Sequence, residues 1–537
     1  MRMKRMETFF WYDLETFGLD SRYDRIAQFA GVRTDSHLQV IEEPVILYCK
    51  LSDDYLPDPL SCAVTGITPQ EVEEKGLPEQ EFIARINALF SEPGTCAVGY
   101  NTIRFDDEFI RNALFRNFFD PYQREYSEGR SRWDILDLVR AAHDLRPNRI
   151  VWPVKPDSGR PSFKLTDLTE ANGIAHEQAH DAMSDVWATL ELARLIKFRQ
   201  PKLFSYYLGL RDKQQVKRKL STPFGTPVIY TAAEFTRVEG CSTIVIPITT
   251  GTKNTNTIFV FDLRHDPSLL ISASQAFGEL EAIRETEEQF RTIAQRGRKA
   301  LQQETNLAES LKETTSALTE AADLLANLPR VASASERLLR VPGLHRISIN
   351  KSPFISPMSI VNEEPDILFR LGIDMDRCEQ HRKQLVEHPV VAAHVRKAAD
   401  LEEYPTIEDV DLSIYQRFFN NADAHRFTEI RNAKPEDLWK RRFNFDDPRA
   451  YEMLWRYLCR NWPESLDDEQ RARWKSFCAE RLYNPPGKTI VNLQFFARKV
   501  AERMESKEID PKEKQVMASL EQWGRALCER IGIPYPR

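Results

Sequence analysis

Two acidic residues, Asp13 and Glu15, sit two positions apart in the stretch Phe9 to Gly18, FFWYDLETFG, directly after an aromatic run. On a strand, residues i and i+2 point to the same face, so both carboxylates project side by side from a segment otherwise suited to burial. Like charges at that separation repel and raise each other's pKa. A hard divalent cation such as Mg²⁺, which takes oxygen ligands, relieves the repulsion. By chance a chain of this composition holds roughly two D-x-E triplets, so the pair gains meaning only from what the rest of the chain brings to it.

The elements that must position this pair follow in order. Arg25 to Arg33 (RIAQFAGVR) and Val45 to Lys50 (VILYCK) have strand length and pattern, and with the first strand predict a three-stranded antiparallel meander. Thr65-Gly66-Ile67-Thr68-Pro69 opens a helix, with Thr68 as N-cap, Pro69 at N1 and Glu71 at N3. Cys96 to Tyr100 (CAVGY) is a short buried strand that delivers Asn101 and then Phe105-Asp106-Asp107 to its C-terminal end, where ligands bind in open α/β sheets. Further helices are predicted through Asn117, over Asp134 to Asp144, over Lys164 to Asn172 with Gly173 as the stop, and from near Asp181. Asp185 then lies in the first or second turn of the last of these. His180 shares a site with it only from the preceding loop, because five residues on a helix are about 140° apart.

Composition sets the frame. At 537 residues, 42% hydrophobic and 29% charged, the chain is an ordinary globular one with room for about three domains. The basic N-terminus MRMKRMETFF lacks the features of a signal peptide, and no stretch approaches the ~18 apolar residues of a membrane helix, so a cytoplasmic protein without membrane attachment is expected. The eight cysteines are scattered without zinc spacing and are expected to be reduced. A net charge of −7 argues against coating duplex nucleic acid by bulk charge and leaves room for local basic grooves.

Asp13-x-Glu15, Asn101-Thr-Ile-Arg-Phe105-Asp106 and His180-x4-Asp185 occur in the order and fold context of the DEDDh 3′→5′ exonucleases, which this chain resembles. Longer strings resemble the bacterial exonuclease I family in particular: YDLETFG, AQFAGVRTDS, DDYLPDP, TGITPQE, GYNTIRFDDE, SRWDILD, LRPNRIVWP, LTEANGI, AHDAMSDV and NWPESL. The resemblance implies an α/β ribonuclease H-like (DnaQ-like) exonuclease domain over residues 1–200. It also implies processive 3′→5′ degradation of single-stranded DNA, releasing 5′-mononucleotides in DNA repair and recombination. Asp13, Glu15, Asp106 and Asp185 would hold two Mg²⁺ ions, which Mn²⁺ could replace, with Glu15 touching both ions and the substrate. His180 would be the general base, so catalysis is expected of His180, Asp106 and Glu15. Asp106 is preferred to its neighbour Asp107 because the family pattern places the ligand directly after the aromatic.

For substrate binding, the resemblance points to the turn Thr65, Gly66 and Ile67, with Ile67 as a wedge against the last base. It points also to Lys164, which stands where relatives have arginine and binds phosphate as a point charge, and to Arg111, Tyr122, Tyr126 and Arg140 for stacking and phosphate contacts. Arg146 and Tyr206 match positions that would receive the acidic, apolar-ended C-terminal tail of single-stranded-DNA-binding protein. A monomer is expected.

Beyond residue 200, Val228 to Thr231, Thr243 to Ile248 and Thr257 to Leu263 are strand-like, and the resemblance makes residues 201–352 an SH3-like β-domain. It is interrupted at about 275–330 by a helical insertion, Ala276 to Leu328, without a family counterpart. Its apolar spacing keeps no strict heptad and predicts a helical hairpin, with Leu344 to Asn350 returning to the barrel. Residues 353–537, with little strand signal, are expected to form a C-terminal all-α domain. Residues 1 to about 200, if they fold alone, are expected to keep metal-dependent cleavage of short oligonucleotides and to become distributive on long ones. Two alternatives stand beside the DNA exonuclease: an exoribonuclease of the same fold, like oligoribonuclease or ribonuclease T, which are much shorter, and a non-catalytic nucleic-acid-binding scaffold.

Overall fold

The computed structural model describes residues 7–176, 181–303, 309–326, 331–487 and 491–536. Its first sheet has five strands, β1 (Thr8–Thr16), β2 (Ile26–Thr34), β3 (Val45–Tyr48), β4 (Thr95–Gly99) and β5 (Ser131–Asp134), in the order β3-β2-β1-β4-β5. The expected antiparallel meander is present, and β4 then pairs parallel to β1 on its other side. The central strand β1 is hydrophobic on both faces because both are covered. Phe10, Tyr12 and Leu14 pack on one side with the helix Glu79–Ser91 and the helix Asp106–Arg116, while Phe9 and Trp11 join the core on the other.

Seven helices of this region matter for the site: α1 (Pro59–Thr65), α2 (Pro69–Lys75), α3 (Glu79–Ser91), α4 (Asp106–Arg116), α5 (Leu136–Leu145), α6 (Leu165–Ala171) and α7 (Ala182–Arg199). Thr68 caps α2 by accepting from the Glu71 amide, Pro69 opens it, and Asp181 caps α7 by accepting from the Ser184 amide, each as the sequence predicts. Two short helices, α8 (Pro201–Gly209) and α9 (Lys213–Lys219), lead to the second sheet.

That sheet comprises β6 (Val228–Thr231), β7 (Ser242–Thr250), β8 (Thr257–Asp262), β9 (Leu344–Ser348) and β10 (Phe354–Pro357), in the order β10-β6-β7-β8-β9. The expected division at 352/353 therefore falls inside the sheet, since β10 pairs antiparallel with β6. Four residues ending in proline carry too little pattern to show as a strand. The helical hairpin is present as α10 (Ser268–Gln303) and α11 (Glu309–Ala326), bridged by Arg291 to Asp323 at 3.0 Å, and α12 (Val331–Leu339) follows. The hairpin begins earlier than Ala276 because Leu270 and Phe277 are core residues of the β-domain, not of an appended arm.

The remaining described residues are mainly helical, as expected: Val391 and Val395 of the helix Val390–Asp400 pack with the β-domain core, and the helices beyond residue 400 pack against the first domain. Phe17, Tyr23, Tyr55, Cys62, Ile67 and Val72 share one core with Trp474, Leu493, Phe496, Met517 and Leu527 from the C-terminal helices. The first domain is thus not a closed unit. Residues 1–200 alone would leave this apolar face to water, at about 25 cal/mol for each Å². Among the described residues no helix is long and apolar enough to cross a membrane, and all eight cysteines are buried and free.

Candidate active site

Asp13 and Glu15 project from the end of β1, where the pairing register with β2 shifts between Glu15 and Thr16. Such a bulge re-aims side chains at the end of a strand. Opposite Glu15, Gln28 of β2 accepts from the Ala182 amide at 3.2 Å and donates toward Asp181 at 3.4 Å, so one side chain ties the start of α7 to the sheet. That tie brings Asp185, in the first turn of α7, to the β1 pair. Carboxylate oxygens of Asp13, Glu15 and Asp185 all lie within 4.8 Å of one another.

Burial and repulsion hold Asp13 and Glu15 far from ordinary carboxylate behaviour. Glu15, 7% exposed, is pushed up to about 8 by burial and then by Asp185 and Asp181. Asp13 is raised by burial and by Asp106, Asp185 and Glu15. An all-oxygen donor set of closely spaced, mutually repelling carboxyl groups fits a hard divalent cation.

Asp106 opens α4 and is buried and raised, by burial first and then by Asp107, Asp134 and Glu15. Its neighbour Asp107 is in a different situation. The Asp107 carboxylate accepts from Tyr12 Oη at 2.8 Å and pairs with Arg124 at 2.5 Å and Arg132 at 3.0 Å. Burial alone would raise it, and Arg124, Arg132 and Arg111 overrule burial and hold it below the carboxylate range. Of the two adjacent acids, Asp107 is neutralised by its arginine partners, while Asp106 is raised by burial and by the acidic groups around it. Asp106 lies outside the 4.8 Å trio and couples to it through Asp13.

The loop carrying Asp106 is itself fixed. Asn101 takes a positive φ of 66°, and the Asp134 carboxylate accepts from the amides of Asn101, Ile103 and Leu136 at 2.9, 3.2 and 2.9 Å. His180 lies outside the described residues. His176, which sequence reasoning passed over, places Nε2 2.5 Å from Asp185 Oδ1 and Nδ1 3.1 Å from Thr169 Oγ1. The only signal for it was its place four residues before His180.

The other expected residues differ in burial and in the partners they already hold. Gly66 has φ 74°, the left-handed conformation glycine tolerates, and the Ile67 amide donates to Thr65 Oγ1 at 3.2 Å. Ile67 is only 6% exposed and packs in the core shared with the C-terminal helices. Lys164 is exposed at the N-cap of α6, and Tyr126 is 69% exposed. Arg111 is buried in a two-pronged pair with Glu125, both contacts at 2.7 Å, and its guanidinium lies 5.3 Å from the Tyr122 ring centre. Arg140 pairs with Asp137 at 2.7 Å. Arg146, at the end of α5, pairs with Glu363 at 2.8 Å and Glu364 at 3.2 Å, and Tyr206 donates to the Ile355 carbonyl at 2.7 Å beneath Lys219. Arg111, Arg140 and Arg146 are therefore already ion-paired within the chain.

Comparison with known proteins covers nearly the whole chain. An Exonuclease family model matches residues 10–193, the Exonuclease I SH3-like domain matches 211–287 and 301–399, and the Exonuclease I C-terminal domain matches 408–527. Only 288–300 of the helical hairpin stands outside these models, so most of the stretch 276–328 does have a family counterpart, contrary to expectation. Exodeoxyribonuclease I of Haemophilus influenzae is 37% identical over 476 residues, covering 88% of this chain and 90% of the relative. A moderately thermophilic exonuclease I from Methylocaldum szegediense has a TM-score of 0.80 at 36% identity, with 97% and 99% of the two chains covered. E. coli exonuclease I in complex with a dA16 oligonucleotide gives 0.80 at 33%, with 97% and 100% covered; the E. coli enzyme is also known in a zinc-ion-bound form with single-stranded DNA, and a further similar structure is SSB/exonuclease I in complex with an inhibitor. The likeness runs through all three domains at well over 30% identity, and the chain belongs to the exodeoxyribonuclease I family.

Proposed function

We infer that this chain is a metal-dependent 3′→5′ exonuclease that shortens single-stranded DNA processively and releases 5′-mononucleotides. The observation that carries the inference is the trio Asp13, Glu15 and Asp185, with oxygens within 4.8 Å of one another and with burial and repulsion driving up the protonation of Asp13 and Glu15. Relatives bound to single-stranded DNA support the substrate.

Asp13, Glu15 and Asp185 would hold one divalent ion, and Asp106 would join them in holding a second, with Mg²⁺ as the proposed metal and Mn²⁺ as its substitute. Bound there, the ions supply Lewis acidity toward the attacking water and the leaving 3′-oxygen. The protein's own contribution is placement. Gln28 and Asp181 set the start of α7 and hence Asp185, while His176 orients the Asp185 carboxylate. Asp134 fixes the turn that presents Asp106. His180, by family resemblance, takes the proton from the attacking water. The turn Thr65-Gly66-Ile67 meets the terminal base, and Lys164, Arg111, Tyr122, Tyr126 and Arg140 line the strand's approach. Arg111 and Arg140 act there with part of their donors already committed to Glu125 and Asp137.

The SSB relative supports a second element of the proposal, reception of the SSB tail at Arg146 and Tyr206. Glu363 and Glu364 occupy the Arg146 guanidinium in the free chain, so an acidic tail would bind by exchanging one carboxylate partner for another.

Nucleotide release from matched DNA and RNA single strands, with Mg²⁺ and with chelator, tests the function. The proposal expects 5′-mononucleotides from DNA with Mg²⁺ only. Equal release from RNA would favour the exoribonuclease, and none from either would favour the scaffold.

A further inference from the structure

The shared core between the first domain and the C-terminal helices contains a buried charge cluster with no place in the mechanism so far. Asp54, fully buried in the loop before α1, pairs with Arg460 at 2.7 Å and Arg481 at 3.4 Å. Arg460 belongs to the helix Arg449–Asn461 and Arg481 to the helix Asp468–Tyr483. The same arginines reach Asp411 at 2.6 and 3.1 Å, Arg481 also reaches Asp409 at 2.6 Å, and Arg456 joins both aspartates at 3.0 and 2.8 Å. Three carboxylates and three guanidinium groups balance in charge, and their geometry is fixed by planar two-pronged contacts.

Asp54 is connected to the catalytic residues by short links. Its neighbour Tyr55 donates to Asp24 at 2.9 Å with its hydroxyl 3.1 Å from the Phe17 carbonyl, and the Asp58 amide donates to that carbonyl at 2.7 Å. Phe17 is two residues beyond Glu15, just past the register shift. Asp58 also caps α1 by accepting from the Leu60 amide at 2.9 Å, and α1 ends at the Gly66 turn. Arg481 lies over Tyr23 at 5.6 Å, and Gln70 of α2 donates to the Ser519 carbonyl at 2.6 Å. The Asp54 loop is thus clamped from the C-terminal domain on one side and grips both the end of β1 and the base-facing turn on the other.

We propose that Asp54, Arg460 and Arg481 are positioning residues of the nuclease, an interdomain clamp that sets Glu15 and the Thr65-Gly66-Ile67 turn in working register. The C-terminal domain then belongs to the active site's scaffold, besides any part it plays in retaining DNA. The proposal rests on the functional reading above. It predicts that loosening the clamp weakens metal binding and turnover together, on substrates too short to reach another domain.

The experiment uses the full chain with three variants: Asp54→Asn, the charge-balanced pair Asp54→Asn/Arg460→Gln, and Arg460→Lys, which keeps the charge and loses the fork. Mn²⁺ affinity is measured by titration without DNA, and kcat and KM are measured on a trinucleotide, with thermal unfolding alongside. The balanced pair and Arg460→Lys are expected to fold, to bind Mn²⁺ about ten-fold more weakly and to lose about ten-fold in kcat on the trinucleotide. If folded variants keep Mn²⁺ affinity and trinucleotide kcat within two-fold while only melting earlier, the clamp is structural and the proposal is overturned. An inactive parent chain would refute the nuclease reading, and the Mn²⁺ titration would still decide the clamp.

Discussion

Replacing Glu15 by Gln is expected to stabilise the metal-free protein at the pH where the enzyme works. Glu15 is buried and its pKa is raised from 4.5 to about 8. A carboxyl group whose folded pKa lies above its unfolded one contributes its full stability below 4.5 and loses it progressively as pH rises toward 8. Each pH unit in that window costs about 1.4 kcal/mol. By pH 7 the parent has therefore given up about 3 kcal/mol that the glutamine variant keeps. For a chain of 537 residues unfolding together, the difference corresponds to about 3 °C in the unfolding midpoint.

Divalent metal offsets the repulsion in the parent and has one ligand fewer in the variant. At a metal concentration a hundred times Kd the parent gains about 2.7 kcal/mol, so the gap closes. Scanning calorimetry of both proteins at pH 5, 6, 7 and 8, with chelator and with Mg²⁺, reads this directly. A parent midpoint in chelator that rises from pH 5 to 8, or a variant no more stable than the parent at pH 8, would refute the reasoning.

Other substitutions separate the roles of neighbouring residues. Asp106→Asn is expected to fold normally and lose metal occupancy, whereas Asp107→Ala, which strands Arg124 and Arg132 in the interior, is expected to cost about 3–5 kcal/mol of stability; metal titration and thermal unfolding distinguish the two, and a dead, well-folded Asp107→Ala beside an active Asp106→Ala would reverse the ligand assignment. His180→Ala should keep metal and DNA binding and lose about 10²–10⁴-fold in turnover, a split visible by comparing Mn²⁺ titration with single-turnover rates. Arg146→Ala should weaken binding of an SSB-tail peptide by ten-fold or more, while Glu363→Gln should strengthen it by removing the internal competitor; unchanged peptide affinity in Arg146→Ala would remove that site.

How much of this was legible in the sequence depends on how local each cause is. The β1 pair, the Thr68 and Asp181 caps and the CAVGY strand are decided within ten residues by alternation and hydrogen bonding, and the structure has them where the sequence puts them. Asp107 shows the limit, since its neutralisation by Arg124 and Arg132 depends on a fold that joins three separate segments, and only the family pattern favoured Asp106. Strand β10 was missed because pairing with β6, not its own four residues, makes it a strand. The Asp54 clamp crosses 406 residues to Arg460 and leaves no periodic or compositional trace. For the same reason the core shared by Ile67 and the C-terminal helices could not be anticipated, and with it the dependence of the catalytic domain on the rest of the chain.

The central claim is that Asp13, Glu15, Asp106 and Asp185 gather divalent metal at the 3′ end of a DNA strand. Anomalous scattering from crystals of the full chain grown with Mn²⁺ and a short oligonucleotide carrying an uncleavable last linkage tests it most directly. The account predicts manganese peaks within about 2.3 Å of Asp13, Glu15 and Asp185 oxygens, with Asp106 ligating a second peak and the terminal 3′ nucleotide beside the Thr65-Gly66-Ile67 turn. Manganese bound instead at Asp107 and Glu125, or a 5′ end seated at the trio, would contradict it.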